Sequence, residues 1–267
     1  MADQPILVLG ATGSTGRRVA ARLSAAGHAV RRASRRGDVP FDWTDRDTWP
    51  DALTGVERVY LMAPHELPVD PGFVHEAVTR GVRRFVLLST RGVAEMRDER
   101  LLAAERLVRT SGVGWTVLRP DWFDQNFDEG FFRPSVLAGE LVLPLGDKTQ
   151  AFVDADDIAA VAVAALTEDG HEGLVYEVTG PEALSFPQAL DVIARVTGRE
   201  VAFRGTPEDY RAIMPADLAE EQIRAWDAVA DGVPTDTVAR VTGRGPRSFR
   251  EYAVRAWEGG AWRAQRR

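Results

Sequence analysis

The chain has 267 residues, of which 45% are hydrophobic and 27% charged, with a formal net charge of -7. That is ordinary globular composition, enough for one large core or two smaller ones, and it excludes a disordered tail protein, a collagen-like rod and a protein of membrane-spanning helices. The acidic balance argues against nucleic acid or an anionic membrane surface as partner, and the absence of cysteine excludes a disulfide scaffold or a thiolate metal site.

With no cysteine, the reducing cytoplasm is the expected compartment. Met1-Ala2-Asp3-Gln4 runs straight into an apolar stretch, without the basic start of a signal peptide. Histidines at 28, 65, 75 and 171 have no metal-ligand spacing, so no metal is expected.

Ile6-Leu7-Val8-Leu9 reads as a buried strand ending at Gly10, and residues 14–26 as a helix with Val19, Ala20 and Leu23 on one face. Strands follow over 28–33 and at Phe41-Asp42, then a helix over 45–53, a strand over 59–62 and a helix over 71–80. A strand over 85–89, a helix over 97–110 and a strand over 115–118 complete the run. Strands that alternate with helices and are apolar throughout predict an α/β fold, a Rossmann-type doubly wound parallel sheet covered on both faces. The pattern loosens at Asp121, where residues 121–134 hold five aromatics and four acids. A helix returns over 154–166 and a last sheet strand over 174–178. From Ser185 onward the chain is mostly helical, with 200–203 strand-like. The expected organisation is residues 1–120 with 151–181 as the sheet domain, and 121–150 with 182–267 as a smaller, mostly helical lobe.

Between the first strand and the first helix stands Gly10-Ala11-Thr12-Gly13-Ser14-Thr15-Gly16. Gly10 permits a tight turn, Gly13 lets the backbone approach a pyrophosphate, and Gly16 lets the helix pack closely on the strand. The helix N-terminus, with Thr12, Ser14 and Thr15 around it, then attracts the phosphates of a dinucleotide. The bland alternative is a glycine-rich turn with no ligand. A preference for NAD normally requires an acid about 20 residues beyond such a motif. Here the second strand ends Arg31-Arg32-Ala33-Ser34-Arg35-Arg36, with no acid before Asp38. Arginine suits the 2′-phosphate of NADP(H); Arg35 is the first choice for that contact, with Ser34 and Arg36 secondary. The alternative is a solvated arginine cluster.

With these residues in view, the chain resembles the atypical short-chain dehydrogenase/reductases of the NmrA-like kind. The resemblance covers about residues 5–180. It rests on the glycine turn, on Gly81-Val82-Arg83-Arg84-Phe85-Val86-Leu87-Leu88-Ser89, on Ser111-Gly112-Val113-Gly114-Trp115-Thr116-Val117-Leu118-Arg119-Pro120, and on Phe152-Val153-Asp154-Ala155-Asp156-Asp157-Ile158-Ala159. Phe41-Asp42-Trp43, Trp122-Phe123-Asp124-Gln125-Asn126-Phe127 and Tyr176-Glu177-Val178-Thr179-Gly180-Pro181 are most similar to bacterial relatives of the fungal clavine (festuclavine/agroclavine) dehydrogenases. The resemblance implies that Asp42 and Trp43 lie beside an adenine, that Met62, Ala63 and Pro64 run along ribose and pyrophosphate, and that Ser89, Thr90 and Arg91 face the nicotinamide. Asp42 also reads as a simple turn acid, and Asp157 as a structural carboxylate in a helical first turn.

Dehydrogenases of this superfamily use a Tyr-x-x-x-Lys pair, in which the tyrosine protonates the carbonyl oxygen as hydride arrives. The tyrosines here are 60, 176, 210 and 252, followed four residues on by Pro64, Gly180, Met214 and Ala256, and Lys148 is the only lysine. Aligned through Glu105, the family positions fall on Arg97 and Leu101. Ordinary ketone reduction is therefore in doubt, because an alkoxide needs a proton or an oxyanion partner. An iminium carbon that gains hydride becomes a neutral amine and needs neither, and a quinone is activated enough to dispense with a buried acid. The segment 121–132 suits such an acceptor, since aromatic faces and nearby carboxylates stabilise a cation. Trp122, Phe123, Asn126, Phe127 and Phe131 are the substrate-binding candidates, and Thr90 and Trp122 the candidates for a part in catalysis. A hydrophobic staple with a solvated acidic edge is the alternative. His65 reads as an exposed loop residue rather than a substrate contact.

The leading expectation is an NADP(H)-dependent reductase of an activated, iminium- or imine-like apolar small molecule in secondary metabolism. The alternatives are an NADPH:quinone reductase, a non-enzymatic NADP(H) redox sensor, and a non-redox cyclisation or isomerisation around a bound cofactor.

Overall fold

The computed structural model describes residues 4–64 and 66–263. In chain order the elements begin with β1 (Ile6–Leu9), α1 (Ser14–Ala25), β2 (Val30–Ser34), β3 (Val39–Pro40), α2 (Trp49–Leu53), β4 (Arg58–Met62), α3 (Pro71–Thr79), β5 (Arg84–Leu88), α4 (Glu99–Arg109) and β6 (Gly114–Pro120). They continue with α5 (Arg133–Ala138), β7 (Glu140–Val142), β8 (Thr149–Gln150), α6 (Ala155–Thr167), β9 (Leu174–Val178), β10 (Leu184–Ser185) and α7 (Phe186–Thr197). The last are β11 (Ala202–Arg204), α8 (Pro207–Arg211), α9 (Ala216–Asp227), α10 (Thr237–Thr242) and α11 (Phe249–Glu258). Among the described residues no helix is long and apolar enough to cross a membrane.

The chain divides into two units. The first holds residues 1–120, 155–178 and 237–244; the second holds 121–154, 179–236 and 245–267. The sequence assigns 151–154 and 179–181 to the sheet domain and 237–244 to the smaller lobe, whereas the first two stretches fall in the second unit and the last in the first. In the structure α10 packs on α6 and β9, which belongs to the sheet.

The first unit is built on a seven-stranded sheet in the order β3-β2-β1-β4-β5-β6-β9, every pairing parallel. Alternate residues of a strand face opposite sides. Leu7, Leu9, Val59, Leu61, Phe85, Leu87 and Val117 join Trp49, Phe73, Leu101 and Val108 of α2, α3 and α4 in one core. The residues between them, Ile6, Val8, Tyr60, Val86 and Leu118, are buried as well. Strand β1 and the middles of β4, β5 and β6 are thus buried and mostly apolar on both faces, as a covered sheet requires, whereas β2 carries Arg31 and Arg32 and β9 is largely exposed. The strand order reverses between β1 and β4, and the carboxyl ends beside such a reversal are where doubly wound sheets take their ligands.

The helix expected over 97–110 starts two residues later, at Glu99. Arg97 has φ of 53° and the Asp98 carboxylate caps the helix, accepting the Leu101 N–H at 3.0 Å. The third strand is Val39–Pro40 rather than Phe41-Asp42, because Asp42 turns back to bridge Asp45. The second unit pairs β7 with β11 and β8 with β10. Its core is aromatic: Phe127, Phe132, Phe152, Phe186, Phe249, Tyr252 and Trp262. Ser185 with Gln188, and Ser248 with Glu251, close capping boxes at the starts of α7 and α11.

Candidate functional site

The glycine turn follows β1. Gly10 has φ of 64°, and a Cβ there would overlap the Met62 side chain at the end of β4. A Cβ on Gly16 would overlap the Gly10 carbonyl. Gly13 differs: its amide donates to the Gly10 carbonyl at 2.8 Å, and its Cβ would meet only that oxygen, at 3.3 Å. Gly13 is also the cap residue of α1, with no side chain capping the helix and no acid in its first turn. An unscreened helix start beside open space fits a pyrophosphate. Thr12 is exposed there. Thr15 is buried beside the Tyr60 hydroxyl, so it has only backbone to offer, and the Ser14 hydroxyl accepts from Arg18 at 3.1 Å.

The four arginines of the second strand separate by role. Arg31 donates to the carbonyls of Asp51, Ala52 and Thr54 and so ties down the end of α2. Arg32 reaches the Ser24 hydroxyl at 3.4 Å. Arg35 and Arg36 remain exposed, and the Ser34 hydroxyl accepts the Arg36 amide at 3.3 Å. Asp42 is a turn acid: its carboxylate accepts the Thr44 amide at 2.9 Å and hydroxyl at 2.7 Å. Those two bonds, with a smaller contribution from the Arg35 charge, hold its carboxyl below the usual range. Trp43 is half-buried and meets Phe41 and Phe73 edge-on, each with ring centroids 5.0 Å apart.

At the ends of β4 and β5 the side chains are more committed than the sequence suggested. The Pro64 carbonyl accepts from Arg100 at 2.8 Å. Ser89 is buried, and its hydroxyl donates to Glu105 at 2.8 Å, so its side chain does not face a ligand. Thr90 is half-buried, Arg91 lies 3.5 Å from Glu177, and Ala63 is buried. His65 lies outside the described residues.

Glu105, through which α4 aligns with the family helix, is a residue that the sequence does not single out for the site. It is buried and accepts Arg119 Nε at 2.8 Å, Arg119 Nη2 at 2.7 Å and Arg109 Nη2 at 3.0 Å besides Ser89. Burial pushes its carboxyl up, but the bonds from Arg119 and Ser89 and the charges of Arg119 and Arg109 more than offset this and hold it below the usual range. The signal was available: Glu105 stands among Leu101, Ala104 and Val108 on the apolar face of α4.

The places of the absent pair are inert. Arg97 is exposed on a turn and Leu101 is buried in the core. The Tyr60 ring is buried, Tyr176 bonds His171 Nδ1 at 2.8 Å, Tyr210 bonds Gln222, and Tyr252 donates to Asp128 at 2.8 Å. Lys148 caps the end of α9, donating to the Asp227 carbonyl at 2.6 Å. Asp157, fully buried, pairs with Arg244 at 2.7 Å.

In the second unit the segment 121–132 splits. Phe127 is a correction to the expected pocket: it is fully buried, packed against Phe132, Phe152 and Phe249, with its carbonyl accepting the Trp262 indole at 2.7 Å. It is core, with no surface left for a substrate. Trp122 is half-buried and stacks on Phe132 and on Trp226, centroids 5.7 and 5.3 Å away. Phe131 is 61% exposed, while Phe123 and Asn126 are half-buried. The acids serve the fold: Asp121 accepts the Trp122 and Ala151 amides, and Asp128 accepts from Tyr252.

Comparison with known proteins shows the family and the fold. Residues 10–169 match the NAD(P)H-binding family. The chain is 37% identical over 276 residues to the (4-alkanoyl-5-oxo-2,5-dihydrofuran-3-yl)methyl phosphate reductase of Streptomyces griseus, covering 93% of this chain and 96% of that protein. It is 32% identical over 278 residues to festuclavine synthase I of Penicillium roqueforti, with the same coverage. The NADPH-dependent quinone oxidoreductase of Escherichia coli complexed with NADPH has the same fold, with a TM-score of 0.71 at 22% identity over 94% of this chain and 99% of that one. The chain belongs to the NAD(P)H-binding family and is an NAD(P)H-dependent oxidoreductase of the atypical short-chain kind.

Proposed function

We propose that this protein is an NADP(H)-dependent reductase of an activated, largely apolar acceptor, an iminium or imine first among them, working without a tyrosine–lysine pair. The observation that carries the reading is the state of the two family positions: Arg97 on an exposed turn and Leu101 in the core. Neither donates a proton to a carbonyl oxygen, and every tyrosine is held by core packing or a hydrogen bond elsewhere. An acceptor that becomes neutral on reduction makes no such demand. The likeness to a festuclavine synthase supports the iminium class.

The Gly10–Gly16 turn, through Gly13 and the start of α1, would hold the pyrophosphate, and exposed Arg35, with Arg36 and Ser34, the 2′-phosphate. Asp42, with its outer oxygen, and Trp43 would border the adenine, Met62, Ala63 and Pro64 the ribose side, and Thr90 and Arg91 the nicotinamide, with Ser89 acting only through its backbone. When bound, the cofactor supplies hydride. The residues of the second unit proposed to meet substrate are Trp122, Phe123, Asn126 and Phe131, without Phe127. Half-buried Trp122 and exposed Phe131 offer aromatic surface to a flat or cationic molecule.

A second reading is reduction of a conjugated carbonyl compound, a quinone or an unsaturated lactone. The relative at 37% identity supports it, since the substrate in its name carries a C=C bond conjugated with carbonyl groups. NADPH oxidation followed at 340 nm against cyclic iminium salts, quinones, unsaturated lactones and simple ketones separates the readings. The iminium reading requires the iminium salts to be the best substrates and simple ketones to be inert. Ketone reduction at a comparable rate would overturn both readings.

A further inference from the structure

Resting on that reading of where the nicotinamide lies, we propose that α4 has become a brace in this protein, and that Glu105 is a positioning residue for hydride transfer. Three consecutive strands of the sheet end beside α4, and charged side chains of the helix reach all three ends. Arg100 donates to the Pro64 carbonyl, just past β4, at 2.8 Å, and is itself held by Asp98 at 3.1 Å. Glu105 accepts from Ser89, the residue after β5, and takes the two-pronged grip of Arg119 near the end of β6.

The backbone adds to the same joint. Ser89 N–H donates to the Leu118 carbonyl at 2.8 Å and Arg91 N–H to the Pro120 carbonyl at 2.9 Å, so pairing of the two strands continues past the end of β5. Arg119 stands opposite Glu177 in the register of β6 and β9, and Arg91 lies 3.5 Å from the same Glu177. Charges thus alternate from Arg109 through Glu105, Arg119 and Glu177 to Arg91. Thr90 lies in the chain between the bonded residues Ser89 and Arg91, and its hydroxyl donates to the Arg91 carbonyl at 3.3 Å.

Stability does not require the arrangement. A buried ion pair contributes little net stability against apolar residues of the same size, and the rest of this face of α4 is Leu101, Ala104 and Val108. What the pair supplies is direction: a planar guanidinium held at two oxygens fixes Arg119, and the remaining lone pair of Glu105 fixes Ser89. Hydride transfer is sensitive to placement at the level of an ångström. The helix that carries the tyrosine and lysine in related enzymes here orients the strand ends instead.

The test compares Glu105→Gln, Ser89→Ala and the double variant Glu105→Gln/Arg119→Gln in the full chain. Four quantities are read: melting temperature, NADPH affinity, kcat, and the emission of bound NADPH, which needs no turnover. Glu105→Gln takes the buried carboxylate away from Arg119 and Arg109 and lowers the melting temperature; the double variant removes the Arg119 charge as well and recovers it. In the double variant NADPH affinity stays within about threefold, because the turn and Arg35 govern it, while kcat remains down by about 100-fold, the cost of an ångström's misplacement. Ser89→Ala melts normally, with kcat lowered by about tenfold. The bound-NADPH emission is shifted in all three variants. If kcat and emission return to normal in the double variant together with its stability, Glu105 only holds the fold and the proposal is overturned. If the unmodified protein binds NADPH yet reduces no acceptor, the proposed function fails, and the emission still decides: a shift in the double variant supports the brace, an unchanged emission overturns it.

Discussion

Gly16 stands so close to Gly10 that a Cβ on the first would overlap the carbonyl oxygen of the second. Gly13, between them, would meet that oxygen only at 3.3 Å. The three glycines of one motif are therefore not equivalent: Gly10 and Gly16 are required by the fold, and Gly13 is the one the proposed reading assigns to the ligand. Gly16→Ala forces the turn off the helix and should cost about 1–3 kcal/mol as an overpacked site. Gly13→Val places a poor capping residue at the start of α1 and should cost about 0.5–2 kcal/mol, leaving the chain folded, while abolishing NADPH binding in a fluorescence titration. Normal binding by Gly13→Val would show that the turn is not the phosphate site.

In the proposed reading cofactor choice rests on Arg35. Arg31 and Arg32 are occupied with the ends of α2 and α1, so their charges serve the fold, whereas Arg35 and Arg36 are exposed. A charged hydrogen bond contributes about 1.5–3 kcal/mol, which is about 10- to 150-fold in affinity. The unmodified protein should prefer NADPH over NADH by that order, and Arg35→Glu should abolish or reverse the preference. Equal dissociation constants for the two cofactors in the unmodified protein would reject the assignment.

The middle of the sheet was legible because it is buried on both faces, which writes β1, β4 and β5 as apolar runs, and the glycine turn because its residue types are forced by close approach. What the sequence hid was the use made of polar side chains. Ser89 follows an apolar strand in a position where the resemblance implies a nicotinamide contact, and nothing local says that its hydroxyl turns inward to a glutamate sixteen residues on. Phe127 and Phe131 read alike in an aromatic segment, yet one is fully buried and the other 61% exposed, because only the distant Phe152, Phe249 and Trp262 decide which is core. Residues 237–244 look like the helical stretch around them, but α10 packs on α6 and β9 of the first unit.

Arg97 holds a left-handed backbone conformation at φ of 53°. For a residue with a Cβ this costs about 1–2 kcal/mol, partly offset in glycine by the greater freedom of its unfolded chain. Arg97→Gly should therefore stabilise the protein by about 0.5–1 kcal/mol, and Arg97→Ala should leave both stability and turnover nearly unchanged. A large loss of turnover in Arg97→Ala, with folding and NADPH binding intact, would give Arg97 a direct part in the chemistry.

Glu105 also sets an acid limit on stability. Its carboxyl is held below its ordinary value of 4.5 in the folded chain. A group depressed by folding contributes its full stability above the unfolded value and loses it as pH falls through the folded one. The melting-temperature gap between the unmodified protein and Glu105→Gln should be widest near neutrality and shrink below the ordinary carboxylate range. A gap that stays constant down to the acid limit would mean that the charge of Glu105 does not matter to the fold.

The last expectation concerns the proton. With Arg97 exposed, Leu101 in the core and Lys148 spent on the end of α9, neither family position nor the lysine, among the described residues, is placed to protonate a carbonyl oxygen. Burial, together with the charges of Asp128 and Asp124, raises the Tyr252 hydroxyl well above 10, so it keeps its proton throughout the working range. If the acceptor is an iminium ion, kcat/KM should follow the fraction of substrate that is protonated. A permanently charged N-alkyl iminium should then give a flat profile from pH 6 to 9, about the interval in which a tyrosine activated by a neighbouring lysine would titrate. A break in that flat profile, surviving a change of substrate, would reveal an enzyme group that donates the proton. The proposed mechanism would then be wrong at its central step, whatever the cofactor preference turned out to be.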